Sequence, residues 1–507
     1  MKKYLAFSIF AIWLMFSTLS YVNGEFRVSS KVWSDFGAAI PLMRSFSQGQ
    51  NWPPEHPLFP GEPIRYHYLF YLGAGLLERA GLRPDLALNL LSTIGFFGLM
   101  TLVYKLAGHL FGKKASLIAV VFLIFNSSFS FVDYFADRGL SLKSLMAVPF
   151  QTEFASFYPW RESKVAAFWN LNIYTNQRHL AFSYAIVLLI IYINYARPRY
   201  LWLTGILLAT LASLNQAALL IAIIYLFFLC IQNRHLWKTY LFSALLGLPF
   251  LYPYLFMSHV PPQILFHPGF ITQNPLRFWL FNLGLHFFFI PIGFLFASKK
   301  MSSLVFGTIV TFLLANLYQF SPDMFNNHKF INFAVIIGSM FTAGLIIKFK
   351  PAIRYTLYII LILGGLFDIF PIINDRKVIL SDRHTNPDIQ FYSTLPRKSV
   401  VLNSTWFYHP ASIAGLPIFN GYSYFTWSYG YDQRQREKEA MTIYASPNKP
   451  TACSLLLENN ISYVELNPHH EGFLQPNYSL WSNEFAKVYT NPETETTVYS
   501  VAKSCTS

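Results

Sequence analysis

YHYLFYLGAGLLERAGL, Tyr66–Leu82, decides how this chain is threaded. The stretch is apolar but short for a bilayer crossing, which needs about 20 helical residues, and Glu78 and Arg79 close it. Read as a helix lying at the outer surface or dipping into the membrane without spanning it, it leaves the later basic clusters on one side. Read as a span, it inverts every later loop and places the lysine clusters outside, against the bias of cytoplasmic loops toward Lys and Arg. The surface reading follows from charge alone.

Around that stretch, the 507-residue chain is 54% hydrophobic and only 12% charged, with a mean hydropathy of +0.36. Its apolar runs predict a polytopic α-helical membrane protein of about eleven transmembrane helices. They fall near 4–22, 85–109, 115–132, 180–195, 200–214, 217–231, 239–256, 278–297, 302–320, 330–347 and 353–373. The net charge of +14 is not the footprint of a nucleic-acid binder, because the cations sit in alternate loops. Lys2 and Lys3; Lys105, Lys113 and Lys114; Arg197 and Arg199; Arg234 and Lys238; Lys299 and Lys300; and Lys348, Lys350 and Arg354 all share one side. The positive-inside rule makes that side cytoplasmic, with the N-terminus inside and the C-terminus outside the plasma membrane. The N-terminal run imitates a signal peptide, but its apolar stretch is long and no A-x-A site follows, so it is read as an uncleaved first helix. Cys230 reads as packing within a helix, whereas Cys453 and Cys505 both fall in the outer tail and are free to pair.

Two long outer loops, 23–84 and 133–179, and two short ones, 258–277 and 321–329, separate the spans. Residues 1–373 form the membrane domain. From 374 to 507 hydropathy drops and β-type runs appear (SVVLN, ISYVEL, TTVYSVA), with helical patterning around DQRQREKEAMTIY and TACSLLLENN. This predicts a soluble α/β extracytoplasmic C-terminal domain. No P-loop, GxGxxG or CxxC pattern is present.

The ionisable groups gather at the outer ends of helices. Asp35, in WSDFGAAIPLMRSF, is a candidate general base or metal ligand, or else a helix N-cap. Asp133 and Asp137 share one helical face and, with Glu153, offer a second acidic cluster, or else a solvated helix end with Asp137 paired to Arg138. Arg178 and His179 abut a span where a guanidinium fork would meet a phosphate, or else a lipid headgroup. Lys329 runs against the positive-inside bias and so reads as an anion-binding group. Glu55, His56, Glu62, Arg65 and His67 are candidate pocket walls. Two histidines eleven apart are a weak zinc signal, and His67 reads better as a hydrogen-bonding partner. The aromatics Trp52, Trp160, Trp169, Trp406 and Trp427 suit sugar stacking and an interfacial belt equally.

This layout resembles the GT-C superfamily of integral-membrane glycosyltransferases, which includes protein O-mannosyltransferases, the aminoarabinose transferase of lipid A and oligosaccharyltransferases. The resemblance is carried by the stretch from His67 through GLRPDLALNLLSTIGFFGLMTLVYKLAGHLFGKKASLIAVVFLIFNSS (Gly81–Ser128). The tail GLPIFNGYSYFTWSYGYDQRQREKEAMTIY (Gly415–Tyr444) is similar to those of the YYY group of bacterial membrane proteins. The resemblance implies that Asp35 is the acidic catalytic residue of the first loop. It makes Asp133 or Asp137 the second acidic motif, although DYFAD departs from a plain D-x-D, and it leaves room for a divalent cation there. Arg178, His179 and Lys329 become the donor-phosphate site.

The implied activity is transfer of a sugar from a polyprenyl-phosphate donor to a glycan, lipid or protein acceptor outside the membrane. An oligosaccharide polymerase or ligase is disfavoured, because the long loops come early and the chain ends in a soluble tail. A transporter or flippase is disfavoured because the halves do not repeat and charge avoids mid-membrane positions. A non-catalytic scaffold is the remaining alternative.

Overall fold

The computed structural model describes residues 1–157, 164–169, 171–257 and 263–505. Trp160, and Pro261 and Pro262 of the third expected outer loop, lie outside the described residues. Among the described residues, six helices are long and apolar enough to cross a membrane: Pro84–Phe111, Arg178–Ala196, Arg234–Phe256, Lys299–Leu317, Met324–Ile346 and Pro351–Ile373. A seventh candidate is the pair Pro275–Leu283 and His286–Leu295, bent by 91° at its break. The chain is a multi-pass membrane protein with six or seven such helices, fewer than the about eleven that apolar run length predicts.

The other apolar helices fall below 18 residues and end at breaks in the backbone. Helix α1 (Lys2–Thr18) has 17 residues and passes at Leu19 into strand β1 (Leu19–Val22). The Lys113–Ile124 helix has 12 residues and stops just before the polar run Asn126–Ser128. The Asn126 amide donates instead to Asp368 at 3.0 Å, and short polar side chains of this kind favour leaving a helix. Leu203–Leu214 and Gln216–Gln232 are separate helices because Asn215 interrupts them, its side chain capping the second by accepting from the Ala218 N–H at 3.1 Å.

Strand β1 turns at Asn23–Gly24, both at positive φ (55° and 81°), into β2 (Glu25–Ser29). An Asn-Gly pair is what a two-residue hairpin of this hand requires. Strand β2 then pairs antiparallel with Lys377–Ser381, Phe26 opposite Leu380. The start of the first loop is thereby zipped to the chain that leaves the last long helix. Helix α2 (Trp33–Ser47) follows, and then the short hairpin β3 (Glu55–His56) and β4 (Phe59–Pro63). Helix α3 (Leu69–Arg79) has 11 residues, too few to span a bilayer, as the charge argument required. It packs on α2 through a buried ion-pair cluster: Arg44 lies 2.6 Å from Asp382 and 3.2 Å from Glu78.

Two pairs of the basic ends meet in space. Lys3 donates to Tyr104 at 2.6 Å, next to Lys105, and Gln232 reaches the Lys300 carbonyl at 3.0 Å. Beyond Ile373 the chain becomes mixed α/β. A four-stranded sheet has the order Ala486–Asn491, Thr496–Ser500, Ile461–Leu466, Val400–Leu402, with only the last pair parallel. Helices Gln433–Tyr444 and Lys449–Glu458 match the patterned segments, and Cys453 and Cys505 form a disulfide. One apolar core runs from Leu14 and Met15 of α1 through Phe36 and Ile40 of α2 to Ile389, Val401 and Ala411.

Candidate functional site

Asp35 is held by the turn before it. The Ser29 and Ser30 hydroxyls and the Lys31 N–H, the last at 2.9 Å, all donate to the Asp375 carboxylate. Val32 is the N-cap of α2, with no side-chain cap, so Asp35 sits in the first helical turn and is not a cap. Its half-buried carboxylate has no hydrogen bond or ion pair among the described residues. It lines a cavity of about 90 Å³ together with His56, His67, His179 and Lys329. Five candidates from separate parts of the sequence are thus brought to one place.

Lys329 enters from the first turn of the His328–Ile346 helix and is buried. Its ammonium donates to Asn326 at 3.1 Å and lies 5.1 Å from the centre of the Tyr66 ring. Two of its three N–H donors remain for a ligand. The His67 and His179 rings stack with centroids 4.0 Å apart. His179 Nδ1 meets the Tyr71 hydroxyl at 3.3 Å, while His179 Nε2 and His67 Nδ1 are buried without a partner. Asn176 Oδ1 and Gln177 Oε1, on residues that line the same cavity, are likewise unpartnered. Orphaned buried polar atoms carry a real free-energy cost, so their concentration at one cavity marks a place for a polar ligand.

Burial sets the electrostatics. Desolvation pushes the Asp35 carboxyl up to about 6, opposed by the Lys329 ammonium. Desolvation lowers His56 to about 3, and lowers His67 well below its ordinary value with help from His179 and Lys329, so both are neutral at pH 7. The cavity therefore offers one carboxylate able to accept a proton, one ammonium, and neutral imidazoles and amides.

The remaining candidates lie elsewhere. Arg178 is fully buried behind α2, not at the cavity. Its guanidinium donates to the Met15 carbonyl, Asn89 at 3.1 Å and Thr18 at 2.7 Å, and lies 5.3 Å from the centre of the Phe36 ring. Its donors are engaged by α1 and the Pro84–Phe111 helix, and it packs behind α2. Asp133 pairs with Lys164 at 2.7 Å, and Asp137 is exposed. Arg138 lies over the Tyr134 ring, 4.5 Å from its centroid, and does not pair with Asp137. Glu153 reaches Lys31 at 2.8 Å. None of these acids lines the cavity. Glu62 and Arg65 pair at 3.3 Å, and Arg65 also donates to the Gly430 carbonyl, so they join the first loop to the C-terminal region.

The cavity's other wall was missed. Tyr424, Phe425, Ser428 and Tyr429 come from the short helix Ser423–Ser428 and its end, and close the site from the C-terminal side. The Tyr424 hydroxyl donates to Asp323 at 2.9 Å, and Tyr431 donates to the Pro63 carbonyl at 2.8 Å. The signal was the aromatic run YSYFTWSYGY (Tyr422–Tyr431), whose density has no periodicity that points to a site. Among the described residues no three His, Cys, Asp or Glu side chains converge where they could hold a metal ion.

No protein-family model matches the sequence, and no curated protein matches it. The fold is nevertheless similar to solved structures. ArnT from Cupriavidus metallidurans in the apo state superposes with a TM-score of 0.52 at 9% identity, over 99% of this chain and 98% of that one. The same protein bound to undecaprenyl phosphate gives 0.51 with the same identity and coverage. The Archaeoglobus fulgidus oligosaccharyltransferase in complex with Zn and sulfate gives 0.49 at 14% identity, over 98% of this chain and 72% of that one. The fold is thus GT-C-like, a polytopic helical membrane part followed by a mixed α/β region.

Proposed function

We propose that this chain is a membrane glycosyltransferase that moves a sugar from a polyprenyl-phosphate donor to an acceptor on the extracytoplasmic side. The observation that carries the reading is the unpartnered Asp35 carboxylate sharing a cavity with the buried ammonium of Lys329. A general base and a phosphate-binding cation are the two groups that inverting transfer from a lipid phosphate requires. The GT-C-like fold supports it, as does the undecaprenyl phosphate bound in one of the similar ArnT structures. The proposed topology puts the N-terminus inside on the strength of the basic loops, and the Cys453–Cys505 disulfide suits an oxidising outer compartment for the tail.

In the proposed reaction Lys329, with His179 and His67 as hydrogen-bonding neighbours, holds the donor phosphate at the outer end of the helices. The acceptor hydroxyl lies between Asp35 and the anomeric carbon. Asp35 takes the hydroxyl proton as the new glycosidic C–O bond forms. The bond from the anomeric carbon to the phosphate oxygen breaks, and the electron pair leaves with the phosphate, whose charge Lys329 stabilises. Displacement from the opposite face inverts the anomeric centre. Asn176 and Gln177 offer acceptors for sugar hydroxyls. The acceptor is a cell-envelope glycan, lipid or protein.

The test of the phosphate site is binding of undecaprenyl phosphate to the purified protein in nanodiscs. Lys329→Met is expected to weaken binding by about tenfold or more, the loss of one charge-assisted contact in a desolvated site. Unchanged affinity in a folded Lys329→Met protein would remove Lys329 from the donor site.

A further inference from the structure

A larger cavity, of about 300 Å³, lies between the first loop and the C-terminal region, at the lower end of the usual range for ligand pockets. Trp52, Glu55 and His56 stand on one wall, and Arg397, Lys398 and Asn459 on the other. We propose that this cavity binds the acceptor, and that the acceptor is an anionic saccharide, one carrying carboxylate or phosphate groups. The proposal rests on the transferase reading for the word acceptor, but the chemistry of the cavity stands on its own residues.

His56 lines both this cavity and the one holding Asp35. The two spaces therefore share His56 as a common wall. No residue of a membrane-crossing helix lines the larger cavity, whereas Lys329 and His179, on such helices, line the smaller. A lipid-linked donor is served from the membrane side; the larger cavity is built for something that arrives from outside it.

Its lining specifies the ligand class. The indole of Trp52 is 45% exposed and packs its other contacts on Phe256, with centroids 4.9 Å apart, leaving an aromatic face for a sugar ring. Arg397 and Lys398 are adjacent and exposed, and neither has an acidic partner among the described residues. Glu55 is the one carboxylate in the lining, and it already accepts the Gly61 N–H at 3.0 Å. Two free cations against one engaged carboxylate give a positive wall, and the Gln50 amide and the part of the Asn459 amide not bonded to the Leu455 carbonyl add neutral hydrogen bonding.

The experiment uses full-length protein in nanodiscs, titrated with three oligosaccharides of equal length: an oligoglucuronate, a phosphorylated mannose oligomer and a neutral malto-oligosaccharide. At least one anionic probe is expected to bind about tenfold tighter than the neutral one, and which one it is separates carboxylate from phosphate recognition. In Arg397→Ser/Lys398→Ser that preference disappears while undecaprenyl phosphate affinity is unchanged, and Trp52→Ala weakens all three probes. Equal binding of charged and neutral probes, no binding of any probe, or a preference that survives the double substitution would overturn the proposal. An intact anionic preference in a protein that binds no polyprenyl phosphate would instead sink the transferase reading and keep the cavity.

Discussion

Asp35 occupies the first turn of a helix, where the positive end of the backbone dipole favours a carboxylate, yet its carboxyl lies near 6 because desolvation outweighs that field and Lys329. A base must be ionised to act, so transfer is expected to rise with pH through about 6 and level above it. Asp35→Asn removes that limb and leaves a flat residual rate; an unchanged acid limb in the variant would assign it to another group. Stability runs the other way. With its folded value above the usual one, Asp35 binds more protons folded than unfolded, so its contribution falls as pH rises from about 4 to about 6. Asp35→Asn is therefore expected to be more stable than wild type at pH 8, by about 1 kcal/mol after allowance for partial exposure, and no more stable at pH 3. Thermal unfolding at the two pH values reads this directly. At this scale the sequence was legible where a charge stood out from an apolar background: Asp35, His67, His179 and Lys329 are conspicuous for that reason. Tyr424 and Tyr429 are not, since in a chain with 31 tyrosines one more aromatic carries no signal until the tail is folded over the loop.

Elements explain why Arg178 and Lys329, both cations at helix starts, have different surroundings. Lys329 begins its helix facing the cavity, with one of its donors engaged by Asn326. Arg178 begins its helix facing inward and ties α1 and the Pro84–Phe111 helix behind Phe36, the residue next to Asp35. Arg178→Met leaves several buried acceptors without donors and is expected to cost about 3 kcal/mol or more. A fall in thermal stability before any loss of donor affinity is the expected signature; lost donor binding at wild-type stability would return Arg178 to the phosphate site. Helix period shows which residues share a face but not which face turns inward, so the sequence could not separate the two. That α3 is too short to span was legible because length and charge agreed. The Asn23–Gly24 hairpin had its signal in plain view and was hidden only because the apolar run of α1 overran it. Run length does not register a break such as Asn126, which follows the end of the Lys113–Ile124 helix inside an apolar stretch.

For the whole molecule, the first loop and the C-terminal region are joined by the β2 pairing with Lys377–Ser381, the Arg44–Asp382 pair and the Arg65–Gly430 contact. The α/β character of the tail was readable from its alternating runs. Its service as a wall of the site was not, because that depends on contacts between residues more than 300 positions apart. The disulfide between Cys453 and Cys505 closes a segment 52 residues long within that wall. Cys505→Ser is expected to lower stability by about 2–4 kcal/mol, read by chemical denaturation under oxidising conditions; no change would mean that the bridge does not form in the mature protein. The central claim is that the cavity shared by Asp35 and Lys329 performs sugar transfer from a lipid phosphate. Its most direct test is the rate at which purified wild-type and Asp35→Asn proteins move radiolabelled sugar from polyprenyl-phosphate donors to envelope acceptors. The expected result is transfer by the wild type and a rate lower by about a hundredfold or more in the variant, with undecaprenyl phosphate binding retained. Equal rates in the two proteins, or no transfer by the wild type from any such donor, would contradict it.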